Sequence, residues 1–209
     1  MSQPPALHDK ALQDLSFIRR TMEGAASFTD VPGWGLVGTG TIALVTAFLA
    51  NRQPTPERWL AMWLAAAVIA AALGGATMWR KMRRRVAASA EAPRTLLNVP
   101  ARKFLLNLLP ALLAGALLTF ALIDFTTPGI DAHLAERVLP GMWLLLYGLG
   151  ITTAGAFSIR AVPLMGLGFI CLGAAALFVP ALDGDLMMAL GFGGLQVAFG
   201  LLIARRHGG

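Results

Sequence analysis

Charged residues are scarce in this chain, and their scarcity excludes an ordinary soluble domain. Only 13% of the 209 residues are Asp, Glu, Lys or Arg, whereas 56% are hydrophobic. A soluble domain averages about 25% charged residues, because charged side chains cover the surface that faces water. This chain has too few of them to cover a globular surface, so lipid must cover much of it.

Cysteine and histidine are also rare, which argues against several kinds of chemistry. The single cysteine, Cys171, cannot form an intrachain disulfide, and its place in an apolar run predicts a small core residue. None of the three histidines lies in an apolar stretch, so no histidine is placed to activate a serine there. The His-Glu-x-x-His zinc motif is absent. We therefore predict no catalytic residue, no cofactor and no enzyme activity.

Glycine, by contrast, is abundant, with 23 residues. Small residues suit membrane helices because they let two backbones approach closely. Six apolar spans follow residue 30, and a helix needs about 20 residues to cross the hydrocarbon core. The spans are residues 34–50, 59–79, 104–125, 138–159, 161–180 and 186–204. The sequence therefore predicts an all-α, polytopic membrane bundle of six transmembrane helices within residues 31–204.

Lysine and arginine are unequally divided between the segments that join these spans. Arg52, Arg58 and Arg137 lie on one predicted side, and the other fourteen of the seventeen Lys and Arg residues lie on the opposite side. The positive-inside rule then places both termini, the basic loop 80–103 and the tail 205–209 in the cytoplasm. Because the excess charge lies in loops between spans, nucleic acid is not a predicted partner despite the net charge of +6.

Residues 1–30 form a predicted cytoplasmic segment with an amphipathic helix over residues 6–26. Its apolar positions recur at spacings of three and four, at Ala11, Leu15, Ile18, Met22 and Ala25. The polar face carries three acidic and three basic residues, whereas a helix that binds anionic lipid is usually basic. We therefore predict that this helix packs on protein, either on the cytoplasmic ends of the spans or on its counterpart in a dimer.

No charged residue lies in the middle of a span, and the nearest, Asp124, is at the outer end of the third, which disfavours proton relays and ion-coupled pumps. Gln196 lies near the middle of the sixth span, and Asn107 and Pro110 lie in the third. Pro110 cannot donate to the carbonyl of Leu106, so a kink or another partner is required there. Two interpretations remain open: Gln196 bonds a neighbouring helix, or Asn107, Pro110 and Gln196 line a polar cavity for a ligand.

The segments between spans carry two clusters of charge. The basic cluster consists of Arg80, Lys81, Arg83, Arg84 and Arg85. It orients the protein and is also a candidate contact for an anionic lipid head group. The second cluster, Asp131, His133 and Glu136, has ligand-type residues, but a short polar loop of this kind is more often solvated, and we predict no metal site. Asp183 and Asp185 are predicted in an outer turn.

Two short patterns concern helix packing. Ala189 with Gly193, and Gly194 with Ala198, are small pairs four apart, the spacing of tight helix contacts. The segments 32–34 and 140–143 share a Pro-Gly start followed by Trp at the first and fourth spans. This similarity is compatible with a three-plus-three inverted repeat, but common chemistry at a helix start near an interface is the simpler interpretation.

The two ends of the chain carry a resemblance. FIRRTME at 17–23 and FTDVPGWG at 28–35 are similar to the start of a group of uncharacterised bacterial six-span inner-membrane proteins. GFGGLQ at 191–196 and IARRHGG at 203–209 resemble their end. The resemblance implies a multi-pass protein of the bacterial inner membrane. It implies no activity and therefore assigns no functional residue.

Two functions are expected from these observations. The first is a non-catalytic interaction or scaffold protein that docks a cytoplasmic protein partner or a second copy through its cytoplasmic face. The alternative is a small transporter or channel for a neutral or lipophilic substrate. Membrane lipid, with anionic lipid at the cytoplasmic face, is a partner in either case.

Overall fold

The computed structural model describes residues 14–15, 31–88, 99–123, 138–179 and 181–207, and every regular element in those ranges is helical. Five helices are α1 Gly33–Ala50, α2 Pro56–Ala88, α3 Val99–Leu122, α4 Leu139–Gly155 and α5 Ala161–Phe178. The last stretch consists of α6 Gly184–Met188, a π-helical segment Ala189–Leu195 and α7 Gln196–His207, which follow one another without interruption. Each of these six helical stretches overlaps one of the six predicted apolar spans.

Five of these stretches are long and apolar enough to cross a membrane: α1, α2, α3, α5 and the continuous stretch Gly184–Arg206. The remaining helix, α4, is apolar but has 17 residues. It is therefore about 25 Å long, somewhat shorter than a hydrocarbon core of about 30 Å. The predicted all-helical class is confirmed for the described residues, and five of the helical stretches are long and apolar enough for a multi-pass protein.

The predicted N-terminal helix over residues 6–26 lies outside the described residues, except for Asp14 and Leu15. These two residues are helical, and the Leu15 side chain is 62% exposed.

The basic segment is more helical than the sequence predicted. We expected a loop over residues 80–103, but α2 continues through the arginines to Ala88 and α3 already begins at Val99. Hydropathy marks where a helix leaves the membrane, which need not be where the helix ends. Arg, Lys, Met and Ala are all good helix formers, so the backbone remains helical beyond the apolar span.

Two central helices organise the bundle. Helix α1 packs against α2 and α7, and helix α4 packs against α3 and α5. Neighbouring helices are antiparallel, so their ends form two layers. One layer, the basic end, holds Arg80, Lys81, Arg83, Arg84, Arg102, Lys103, Arg160, Arg205 and Arg206. The other, the tryptophan end, holds Trp59, Trp63 and Trp143.

Glycines seven residues apart bring each central helix into backbone contact with a partner. The facing pairs are Gly33 with Gly200, Gly40 with Gly193, Gly141 with Gly173, and Gly148 with Gly166. A Cβ atom on Gly148 would lie 2.8 Å from both the carbonyl oxygen of Gly166 and the amide nitrogen of Ile170. These antiparallel contacts fix α1 on α7 and α4 on α5. The two helices that share the Pro-Gly start are thus the two with this packing.

Two sequence predictions about packing were wrong. Cys171 was expected in the core but is exposed. The core-facing residues of α5 include Phe169 and Gly173, and a residue two positions from each of them points to the opposite side of a helix. The proposed pair of Gly194 and Ala198 also makes no tight contact. A Cβ atom on Gly194 would meet only its own helix, and Ala198 is exposed.

Candidate functional site

Polar side chains from three helices meet in the middle of the bundle. The hydroxyl of Thr39 on α1 donates to Oε1 of Gln196 at 2.5 Å, and Nε2 of Gln196 donates to the hydroxyl of Tyr147 on α4 at 3.3 Å. Thr39 and Gln196 are buried. Both ends of the Gln196 amide therefore have a partner on another helix, as the interhelical interpretation predicted. We call these three residues the Gln196 cluster.

The π-helical segment directly precedes Gln196. A π-helix closes its hydrogen bonds over five residues instead of four, so the residues after it face a direction that an uninterrupted α-helix would not give them. Two buried glycines of the segment allow this course: Gly191 lies against Leu144, and Gly193 lies against α1. Segments of this kind occur often at functional sites. The widened turn thus brings Gln196 between α1 and α4.

Aromatic rings pack beside the Gln196 cluster. The ring of Tyr147 lies edge-on to Phe169 at 4.8 Å and tilted to Phe192 at 5.1 Å. Phe169 and Phe192 contact each other at 5.2 Å, and Phe169 is fully buried. Three rings in mutual contact therefore fill the space next to the Gln196 cluster.

The other two candidate cavity residues lie elsewhere. Asn107 donates to the carbonyl oxygen of Lys103 in its own helix at 2.8 Å. Pro110 is exposed, and α3 continues through it. Helix α3 packs against α4, whereas the helix that begins with Gln196 packs against α1. The structure therefore does not bring Asn107 and Pro110 to Gln196, and the predicted three-residue cavity does not form.

The tryptophan end contains a site that the sequence analysis missed. Oδ1 of Asp185 accepts from the indole nitrogens of Trp59 at 2.8 Å and Trp63 at 3.0 Å. The two tryptophans are four apart on α2 and therefore share a face. Both are buried, and a buried indole N–H needs an acceptor. A tryptophan pair at this spacing, with a carboxylate elsewhere on the same side, was the signal available in the sequence.

A third tryptophan extends this site to α3 and α4. Trp143 stacks on Trp59 with ring centroids 5.9 Å apart and an angle of 4° between the rings. Its indole nitrogen donates to the hydroxyl of Thr119 at 2.7 Å. Asp183, predicted in the same turn as Asp185, instead caps α6 by accepting from the amide of Leu186 at 2.8 Å. The site therefore links α2, α3, α4 and α6.

The predicted lipid-contact residues lie on the part of α2 at the basic end. Arg80, Arg83 and Arg84 are exposed, and their spacings of three and four place them on one side of the helix. We call this surface the arginine face. On the other side Met82 is buried, and Nζ of Lys81 donates to the carbonyl oxygen of Val31 at 3.2 Å. The side chain of Arg85 lies outside the described residues.

Neither metal-ligand groups nor known relatives assign a role to these described residues. Among the described residues, no group of three His, Cys, Asp and Glu side chains could hold a metal ion. The cluster of Asp131, His133 and Glu136 lies outside those residues. No family model, curated protein or solved structure matches the chain.

Proposed function

We propose that this chain is a non-catalytic, multi-pass protein of the bacterial inner membrane that docks an acidic cytoplasmic protein on the arginine face of α2. The observation that carries the proposal is the length of α2. Its 33 residues extend about 50 Å, whereas the hydrocarbon core is about 30 Å thick. The far end of α2 therefore projects from the membrane as a helix with a cationic face.

The arginine face is well placed to bind a partner. Trp79 precedes it and is 45% exposed, as suits a residue at the head-group level. The contacts of Lys81 and Met82 hold the opposite side of α2 on the bundle. The backbone under the arginine face is therefore already in place, so it loses little conformational entropy when a partner binds. Within residues 31–88, 99–123, 138–179 and 181–207, the acidic residues are Glu57, Asp183 and Asp185, and all three lie at the tryptophan end. The charged side chains that these ranges place at the basic end are therefore cationic.

Charge favours an acidic partner over a second copy at this face. A two-fold dimer interface uses the same patch on both subunits, so it would bring two sets of exposed arginines together. Like charges in contact repel, whereas an acidic surface gives complementarity and faster association. A second copy could still meet the helix bundle elsewhere, but the arginine face fits a partner that supplies carboxylates.

The first arm of the test determines orientation. Alkaline phosphatase fusions after Asn51 and Gly184 should be active, which reports the periplasm. Fusions after Ala88 and Gly209 should be inactive, because phosphatase folds only outside the cytoplasm. Activity after Ala88 would place the arginine face on the wrong side for a cytoplasmic partner.

The second arm tests docking in intact cells. A photoreactive amino acid at Ala87, which is exposed on the same side of α2 as Arg80, should crosslink to a discrete acidic protein. Replacing Arg80, Arg83 and Arg84 by Gln should lower this adduct about tenfold, because three exposed ion pairs of up to about 1 kcal/mol each are lost.

The matched control is Arg52→Gln with Arg58→Gln, which removes cations from the opposite end. It should leave the Ala87 adduct unchanged. An adduct that contains only a second copy of the chain, or one that survives the arginine-face changes, would contradict the proposal.

Transport of a small neutral molecule is a second candidate, favoured by the π-helical segment beside buried polar groups. Gln196→Leu separates it from a structural tie. Two interhelical hydrogen bonds in a membrane contribute about 0.6 kcal/mol each, so we expect a loss of about 1 kcal/mol and a melting temperature lower by a few degrees. Thr39→Val should cause about half of this loss. If native mass spectrometry instead shows a small molecule lost with stability unchanged, the cluster is a binding site.

A further inference from the structure

A pocket of about 340 Å³ lies at the basic end, between the turn that joins α4 to α5 and the last turns of α7. Its lining includes Ser158, Ile159, Arg160, Leu202, Ile203 and Arg206. None of these residues belongs to the arginine face of α2. The pocket is therefore a separate feature of the same end of the bundle.

Tight backbone contacts hold the two sides of the pocket in place. Gly155 lies directly against Pro163, which closes the turn between α4 and α5. Arg160 ends this turn as the residue before α5. On the other side, Gly200 fixes α7 on α1, and Ile203 is 1% exposed. Arg160 and Arg206 are thus carried on backbone whose position is set by packing.

The two guanidinium groups give the pocket a positive charge. Both line the same space, and within the described residues neither forms an ion pair. Lys103 adds a third cation nearby, with Nζ 5.5 Å from the ring of Phe157 in the same turn. Like charges that share a pocket repel one another unless an anion lies between them. The pocket is therefore suited to an anion with several oxygen acceptors.

The apolar residues of the lining favour an anion that carries hydrocarbon. Ile159, Leu202 and Ile203 are apolar, and Leu202 is 37% exposed on the outer surface of α7. Each side of the pocket combines one arginine with apolar side chains: Arg160 lies beside Ile159 on the turn, and Arg206 lies near Leu202 and Ile203 on α7. A free phosphate or a carboxylate on a soluble protein would gain nothing from these apolar side chains, whereas acyl chains would cover them.

We propose that this pocket binds the phosphate of an anionic phospholipid. Arginine pairs with phosphate through two parallel N–H···O bonds, which a lysine cannot reproduce. Basic pockets between membrane helices are suited to such head groups. Ser158 also lines the pocket. The site holds a lipid against α4, α5 and α7 whether or not a protein docks on α2.

Lipid retention by the purified full-length protein tests the site. Native mass spectrometry in detergent should show phosphatidylglycerol retained over phosphatidylcholine. Each arginine near an anionic head group contributes about fivefold in affinity. Arg160→Gln should therefore weaken retention of phosphatidylglycerol about fivefold, and Arg160→Gln with Arg206→Gln about thirtyfold. Replacing both by Lys should restore most of the affinity but not all of it.

Arg205→Gln is the matched control, because Arg205 is exposed beside Arg206 but does not line the pocket. It should leave retention unchanged. An equal loss in this control, or equal retention of phosphatidylcholine, would show that only general surface charge is involved.

Displacement of the lipid by inorganic phosphate at about 10 mM would identify a small-anion site instead. If the double Gln variant does not fold, the exposed Arg160 change alone decides the result. Because binding is measured without a membrane, its failure is independent of the orientation of the chain.

Discussion

Gly148→Ala is expected to lower the melting temperature of the detergent-purified protein by about 5 °C. The added Cβ atom would lie 2.8 Å from backbone atoms of Gly166 and Ile170, and neither of these can rotate away. Helix α4 would have to separate from α5. Overpacking of this kind costs about 1–3 kcal/mol, and each kcal/mol corresponds to about 2–4 °C for a chain of this size.

Gly75→Ala is the matched control for this prediction. Gly75 lies on an exposed side of α2, and a Cβ atom there would meet nothing within 4 Å. Because alanine favours a helix over glycine by about 1 kcal/mol, this change should be neutral or slightly stabilising. Equal melting temperatures for the two variants would show that α4 and α5 are not in backbone contact.

Asp185→Ala is expected to destabilise the tryptophan end by about 3 kcal/mol. The change removes the acceptor shared by Trp59 and Trp63, and hydrogen bonds to a charged group contribute about 1.5–3 kcal/mol each. Both indoles are buried, so their N–H groups would be left without the acceptor or would turn toward water. A lower melting temperature should accompany a red shift of tryptophan fluorescence.

Two neighbouring variants make the Asp185 result specific. Asp185→Asn keeps an oxygen at the acceptor position and should retain about half of the lost stability. Asp183→Ala removes only the cap of α6, which should cost about 1 kcal/mol without a fluorescence shift. Similar fluorescence shifts in both alanine variants would contradict a specific role of Asp185.

The two ends of the bundle differ in how they are built. At the tryptophan end, the carboxylate of Asp185 accepts hydrogen bonds within the protein and joins α6 to α2. The stacked rings of Trp59 and Trp143 join α2 to α4. At the basic end, the exposed arginines on α2 and the pocket with Arg160 and Arg206 offer charge to other molecules. The proposed docking surface and the proposed lipid pocket therefore both lie at the basic end.

The sequence by itself determined the class of protein. A helix satisfies its backbone hydrogen bonds within one segment, and the bilayer requires about 20 apolar residues, so length and hydropathy locate each span without knowledge of its neighbours. Each predicted span therefore overlaps a helical stretch, five of which are long and apolar enough to cross a membrane, and the unequal distribution of Lys and Arg was enough to predict an orientation. The end of α2 was not found, because nothing in hydropathy marks the end of a helix that continues past its apolar span.

Only the tertiary structure decided which residues face one another. In a soluble helix the apolar side faces the core, but a membrane helix is apolar on all sides, so sequence periodicity does not separate its lipid face from its core. Cys171 was misplaced for this reason. Asp185 and Trp59 are 126 positions apart, and a π-helical segment turns Gln196 toward Thr39 and Tyr147. Such pairings depend on how closely two helices approach at their glycines. That distance is set by both facing surfaces together, so it cannot be read from the sequence of one span.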